Sequence, residues 1–176
     1  MKVAVLLTVI FLLSLVIGCM QRSQPTSNTQ QVNQAQTQSP PSRAKAERGT
    51  PAEAKAMLQQ AVAHYNSVGR KQALADFTAK KSPFADRDLY VACIGSDHTI
   101  IANGGFPSLV GTSADAWKDV DGKSLGRTIW EVASSKGEGS VEYRWYNPVS
   151  GKLEPKVLFV QKIGDDVCGV GAYNPQ

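Results

Sequence analysis

Hydrophobic and polar residues follow several distinct patterns along this chain, and each pattern predicts a different element. From Thr50 to Gly69 the apolar positions have helical spacing. They recur at Leu58, Val62 and Tyr65 and, one row over, at Met57, Ala61 and Val68. Thr50 suits the N-cap, Pro51 suits the first helical position, and Glu53 completes a capping box. Gly69 is a fitting end for this long helix.

The pattern then changes from helical spacing to β-rich segments. Residues 70–80 predict a second short helix, with Leu74 and Phe77 facing inward. "DLYVACIG" and "HTIIA" read as two strands, "KSLGRTIWEVASSKG" as a helix, and "SVEYRWYN", "LEPKVLFVQKI" and "DVCGVGAY" as three more strands. The loop between the second strand and this helix holds four apolar residues that we expect to be buried: Phe106, Leu109, Val110 and Trp117. The element order predicts an α+β fold with a five-stranded antiparallel sheet.

The first nineteen residues have the layout of an export signal. Lys2 is followed by an apolar run from Val3 to Ile17, which is short for a membrane span of about 20 residues. The run ends in Gly18-Cys19 and resembles the lipobox of bacterial lipoproteins. The resemblance implies cleavage after residue 18 and acyl chains on Cys19, which would hold the protein on a membrane. An uncleaved N-terminal anchor is the other interpretation, and both place the remaining chain outside the cytoplasm.

Residues 19–49 form the predicted lipidated cysteine and tether, because they are polar and almost without apolar side chains. Residues 50–176 form the predicted domain. The chain has a formal net charge of +4, but from Thr50 onward 14 Lys and Arg balance 14 Asp and Glu. A neutral domain without a basic stripe argues against nucleic acid as a partner.

Several segments together resemble the single Cache domain of type 2, an extracytoplasmic relative of the PAS fold. They are "TPAEAKAMLQQAV", "GRKQALADF", "SPFADRDLYVACI", "PSLVG", "DVDGKSL", "YRWYNPVSGKLEPK" and "CGVGAY", which extend from Thr50 to Tyr173. The resemblance implies a long N-terminal helix behind the sheet and a crossover helix over its other face. It also implies a pocket for a small carboxylate or similar metabolite on that second face.

The hairpin "VEYRWYNPVSGKLEPKVLFV" carries the candidate site. If the strands close symmetrically around residues 147–152, Tyr143 lies opposite Lys156, and Trp145 shares their face. A ring wall, a phenol and an ammonium group suit a carboxylate. A register slip of one residue would place Arg144 there instead. The alternative is structural, with both rings in the core and the Lys156 side chain extending along them to water.

Other candidates are weaker. Tyr90 lines the pocket or belongs to the core, and His98 lies at the pocket rim or on the surface. Trp117 and Trp130 are expected to pack, either wholly in the core or with one edge on the pocket. The segment from Asp119 to Gly122 faintly resembles a calcium loop but lacks the later acidic ligand, so we expect a polar turn and no metal or cofactor.

Cys93 and Cys168 both fall in predicted strands. In the PAS-like order these two strands are neighbours at the centre of the sheet. An oxidising compartment allows a disulfide between them, whereas two buried thiols acting as small apolar residues are the alternative.

The function that follows is a lipid-anchored binding or sensing domain of the cell envelope for a short carboxylate. The usual hydrolase, metalloprotease and phosphate-loop motifs are missing, so we expect no catalysis. Because the sequence stops at Gln176, soon after the last strand, we expect a separate membrane sensor or receptor to receive the signal. The alternative is an envelope scaffold without a small ligand.

Overall fold

The computed structural model describes residues 48–173; the predicted signal peptide, Cys19 and most of the predicted tether lie outside this range. Three α-helices are present in the described part: α1 (Pro51–Val68), α2 (Arg70–Thr78) and α3 (Leu125–Lys136). Two short 3-10 helices, Pro107–Leu109 and Ala114–Ala116, precede α3. No helix within residues 48–173 is both long enough and apolar enough to cross a lipid bilayer.

The strands form one antiparallel sheet. They are β1 (Ala85–Asp86), β2 (Leu89–Ile94), β3 (Ile100–Asn103), β4 (Glu138–Tyr146), β5 (Leu153–Ile163) and β6 (Asp166–Tyr173). The order β3-β2-β6-β5-β4 contains the five predicted strands, and β1 also pairs with β2. Sequence patterning missed β1 because two residues are too few to show an alternation.

The start of α1 is as predicted. The Thr50 hydroxyl accepts a hydrogen bond from the Glu53 N–H at 3.2 Å, and the Glu53 carboxylate accepts one from the Thr50 N–H at 2.7 Å. Gly69, at φ +82°, follows the last residue of α1 and donates its N–H to the Tyr65 carbonyl. Two expected core residues are exposed: Val68, at the end of α1, is 42% exposed, and Val110, in a loop, is 38% exposed. Val68 is the last residue of α1, and Val110 follows the 3-10 helix Pro107–Leu109, so both side chains lie at the edge of an element.

The sheet has a core on each face. Helices α1 and α2 cover one face, and their core includes Met57, Leu58, Phe77 and Val91. Helix α3 and the two 3-10 helices cover the other face, with Leu125, Ile129 and Leu158 in that core. The candidate site lies in the layer between the sheet and α3.

Neighbouring strands β2 and β6 are joined by a disulfide between Cys93 and Cys168, which lie directly opposite each other. Both cysteines belong to the core beneath α1 and α2. The two alternatives for these cysteines were a disulfide and two buried thiols, and the structure contains the disulfide.

Candidate ligand-binding site

The β4–β5 hairpin has the predicted register. Tyr143 pairs with Lys156, and the turn is closed by the Asn147 N–H donating to the Lys152 carbonyl at 2.8 Å. Since residues alternate between faces, Tyr143 and Trp145 share the face of Lys156. Arg144 pairs with Pro155 on the opposite face and is exposed, so the slipped register that would place Arg144 in the site does not occur.

A cavity of about 40 Å³ lies between this face of the sheet and α3. Four aromatic side chains contribute to its wall: Tyr90, Trp117, Tyr143 and Trp145. Apolar side chains of β2, β3, β5, β6 and α3 complete most of the lining: Ala92, Ile94, Ile100, Leu158, Val167, Leu125 and Ile129. The indole rings of Trp117 and Trp145 have centroids 5.6 Å apart. The surroundings are therefore mainly apolar, with few polar groups.

Lys156 is the buried cation of this cavity, and only 2% of its surface is exposed. Its Nζ donates to the Tyr90 hydroxyl at 2.8 Å and to the Tyr173 hydroxyl at 3.3 Å. The Tyr173 hydroxyl in turn donates to the Tyr146 carbonyl at 2.6 Å. An ammonium group has three N–H donors, so one donor of Lys156 remains for another acceptor.

None of the ion pairs found among residues 48–173 includes Lys156. Burial lowers the pKa of Lys156 from 10.5 to about 7, and the negative charge of Asp88 only partly opposes this effect. Burial also raises the pKa of Tyr90 and Tyr143 well above 10, so both phenols stay neutral and able to donate. An anion in the cavity would meet a cation without a counterion and several O–H donors.

Two glycines make room for these side chains. A Cβ on Gly171 of β6 would lie 2.1 Å from Lys156 Cε, because the lysine crosses the sheet directly over this residue. A Cβ on Gly105 would lie 2.4 Å from the Tyr90 ring. The "CGVGAY" segment thus provides the space that the Lys156 side chain occupies.

A buried polar network joins the hairpin turn to the residues that precede α1. The Asp88 carboxylate accepts hydrogen bonds from the Gly49 N–H at 2.6 Å and from Asn147 Nδ2 at 3.0 Å. Asn147 Nδ2 also donates to Glu154, which holds Arg48 through two hydrogen bonds of 2.6 and 2.8 Å. Arg48 and Gly49, which lie just upstream of the predicted domain start at Thr50, are part of this network.

The remaining candidates lie elsewhere. His98 does not line the cavity; its Nδ1 lies 2.9 Å from the Asp115 carboxylate, and its ring packs against Trp130. Asp119 caps a polar turn, as expected, by accepting the N–H groups of Asp121 and Lys123. Within residues 48–173 no cluster of three His, Cys, Asp or Glu side chains could hold a metal ion.

Sequence reasoning missed Asn103, which lines the cavity, and Tyr173, which accepts a hydrogen bond from Lys156. Tyr173 pairs with Lys156 across β5 and β6. The two-residue turn at Gly164-Asp165 is enough to derive that pairing, because the residue numbers of opposed positions in a tight hairpin add up to a constant. Asn103 at the end of β3 carried no comparable signal, because its neighbours depend on how β3 joins the sheet.

An antiparallel sheet with helices on one face and a ring-lined cavity on the other is the architecture of the PAS-like ligand-binding domains. The sequence profile of the family described as Single Cache domain 2 matches residues 20–173. The chain belongs to this family. The match begins within the predicted tether, upstream of Thr50. No curated protein sequence is similar enough to count as a relative.

Three solved structures have a similar fold. A methyl-accepting chemotaxis protein from Vibrio parahaemolyticus is 23% identical, over 69% of this chain and 86% of that chain, with a TM-score of 0.60. A periplasmic sensor domain of a chemotaxis protein is 22% identical, over 75% and 97%, with a TM-score of 0.61. A Cache chemosensory domain studied for carboxylic acid recognition is 22% identical, over 70% and 88%, with a TM-score of 0.55.

Proposed function

We propose that this domain binds a short organic carboxylate in the cavity and acts as an extracytoplasmic sensor. The observation that carries the proposal is the buried Lys156 ammonium, which faces a ring-lined cavity without a carboxylate partner among the described residues. A buried unpaired charge is costly, so it persists where an anionic ligand uses it. The similar Cache chemosensory domain studied for carboxylic acid recognition agrees with this ligand class.

The size of the cavity supports a small ligand. At about 40 Å³ it is far below the roughly 300–1,000 Å³ typical of pockets for drug-sized molecules. In the complex, Lys156 Nζ would donate its remaining N–H to the carboxylate, with the hydroxyl groups of Tyr90 and Tyr143 as neutral donors. The rings of Trp117 and Trp145 would cover the ligand's carbon atoms and exclude water, which strengthens the charged hydrogen bond.

The test is titration calorimetry with C2–C4 carboxylates on the folded domain, with Lys156→Met as the site variant. Lys162→Met is the matched control, because Lys162 lies on the same strand but is exposed. We expect at least one acid to bind the wild type and the control equally, and to lose about 100-fold or more in affinity in Lys156→Met. Equal binding by both variants would place the ligand elsewhere, and no binding of any acid by the wild type would overturn the proposal.

We also propose that Cys19 carries the lipid anchor, supported by Lys2, the apolar run of residues 3–17 and the Gly18-Cys19 pair. The polar segment that follows would hold the sensor near the membrane, where a separate receptor receives the signal. Metabolic labelling with a palmitate analogue should mark the wild type and leave Cys19→Ser unlabelled. Labelling of the Cys19→Ser protein would overturn the anchor.

A further inference from the structure

Asn103 is a polar side chain in an otherwise mostly apolar part of the cavity. It ends β3, directly opposite Ala92 of β2, and therefore lies on the same face as Ala92. It lines the cavity, and only 3% of its surface is exposed. The other cavity residue of β3 is Ile100, and the nearby cavity residues Ala92 and Ile94 of β2 are also apolar, so an amide here is a chemical exception.

The orientation of the Asn103 amide follows from its hydrogen bonds. Its Oδ1 accepts a hydrogen bond from the Phe106 N–H at 2.8 Å. Because an N–H group needs an oxygen acceptor, this bond identifies which terminal atom of the amide is Oδ1 and which is Nδ2. No hydrogen bond from Nδ2 to any residue in the range 48–173 is present. In that same range every fully buried side-chain nitrogen or oxygen has a partner. Nδ2 is therefore not sealed in the core, and the cavity that Asn103 lines is where a small molecule can reach it.

The charges around the cavity limit what Nδ2 can bind. Lys156 is the only cationic side chain in the described cavity lining, and no Asp or Glu side chain lines it. If the ligand carried a second carboxylate, that carboxylate would have no cation to pair with. If the ligand carried an ammonium group, that group would have no anion to pair with. Either charge would be buried without a partner, at a large cost in free energy. The acceptor that suits a neutral amide N–H is a neutral oxygen, either a hydroxyl or a carbonyl.

We infer that the ligand is a short monocarboxylate with a second, uncharged oxygen, a hydroxy or oxo acid, and that Asn103 selects for this oxygen. The inference rests on the proposed function, since it takes Lys156 to hold the carboxylate. Asn103 Nδ2 donates to the second oxygen. A plain alkanoate leaves that donor without a partner in an apolar cavity, and an unmade buried hydrogen bond of this kind lowers affinity about 10- to 100-fold.

The experiment compares matched acids on two variants. The pairs are propanoate with 2-hydroxy-, 2-oxo- and 3-hydroxypropanoate, and butanoate with 3- and 4-hydroxybutanoate. Asn103→Asp keeps an oxygen to accept the Phe106 N–H and removes the N–H₂ donor. Its negative charge weakens both members of each pair. A ligand hydroxyl can donate to the new carboxylate, whereas a keto oxygen only accepts, so the ratio for 2-oxopropanoate and propanoate isolates the lost donor. Asn66→Asp is the control, since it makes the same change at an exposed position on α1.

For the wild type and Asn66→Asp we expect at least one oxygenated acid to bind about tenfold or more tightly than its alkanoate. In Asn103→Asp the preference for 2-oxopropanoate over propanoate should fall to about one or below. Alkanoates that bind the wild type as tightly as all their oxygenated partners would overturn the inference and leave the proposed function standing. A preference for 2-oxopropanoate over propanoate that survives in Asn103→Asp would also overturn it. Failure of every acid to bind the wild type would remove the proposed function itself.

Discussion

At the residue scale, Lys156 has opposing effects on stability and binding. Its ammonium is buried among phenol and indole rings, and burial lowers its pKa to about 7. The folded state therefore binds a proton at this site less readily than the unfolded chain does. A side chain that weakens the fold and is still retained in a cavity is typical of a functional site.

Lys156→Met should stabilise the domain at neutral pH and below. The folded pKa of about 7 is below the unfolded value of 10.5, so the unfolded state gains stability from proton binding below pH 10.5, in full below pH 7. The shift corresponds to about 5 kcal/mol, and the lost hydrogen bonds to Tyr90 and Tyr173 offset about half of it. Urea unfolding should show a gain of about 2 kcal/mol at pH 6 that diminishes towards pH 10. A loss of stability at pH 6 would instead assign Lys156 a structural role.

Carboxylate affinity should fall as pH rises through the Lys156 pKa. The ligand needs the ammonium form, and its charge should raise the pKa of Lys156 in the complex. Affinity should be nearly constant from about pH 5.5 to 6.5 and weaken by about tenfold per unit above about pH 7.5. Calorimetry in buffers of different ionisation enthalpy should show proton uptake at pH 8. An affinity that is flat to pH 9 would contradict this coupling.

At the element scale, β6 shapes the site as much as the hairpin does. Gly171 lies beneath Lys156, and Tyr173 on the same strand accepts a hydrogen bond from it. Asn147 of the hairpin turn donates hydrogen bonds to Asp88 and Glu154, and Glu154 also accepts a hydrogen bond from Arg48. Lys156 itself is held by hydroxyl groups of β2 and β6 as well as by its own hairpin.

Gly171→Ala should lower both stability and carboxylate affinity, because the added methyl group occupies the path of the Lys156 side chain. We expect a stability loss of about 1–3 kcal/mol by urea unfolding. In a Lys156→Ala background the obstructing side chain is gone, so the same Gly171→Ala change should cost about 1 kcal/mol less. Additive effects in this double-mutant cycle would mean that the two positions do not compete for space.

At the scale of the whole molecule, the sheet separates two layers with different tasks. The layer under α1 and α2 holds an apolar core that includes both cysteines of the disulfide, whereas the layer under α3 holds the cavity, whose lining also includes Cys93. Substitutions in the α1–α2 core that avoid the cavity lining can therefore change stability without changing the binding site.

Replacing both Cys93 and Cys168 by Ala should lower the unfolding free energy by about 2–4 kcal/mol. The bond joins residues 75 positions apart, so its loss frees a long loop in the unfolded chain. Carboxylate affinity should change less than about threefold, because both cysteines pack in the α1–α2 core and of the two only Cys93 also borders the cavity. Chemical unfolding and calorimetry below the melting temperature check both parts. A large loss of affinity in the folded variant would show that the bond shapes the cavity.

Local patterns determined much of this fold in advance. The capping box, Gly69 and the helical spacing predicted α1, since they are interactions between residues a few positions apart. The register of the β4–β5 hairpin was equally local. If the strands close symmetrically around residues 147–152, the residue numbers of opposed positions add up to a constant, which places Tyr143 opposite Lys156.

What only the tertiary structure decided is which distant residues meet at the cavity. Tyr90 and Asn103 reach it because β2 and β3 join the sheet beyond β6, an order that no short-range signal encodes. The choice between a buried Lys156 and a side chain that extends to water depended on the same assembly. Whether a charge is covered depends on every element packed around it, whereas capping, spacing and hairpin register need only the nearest stretch of chain.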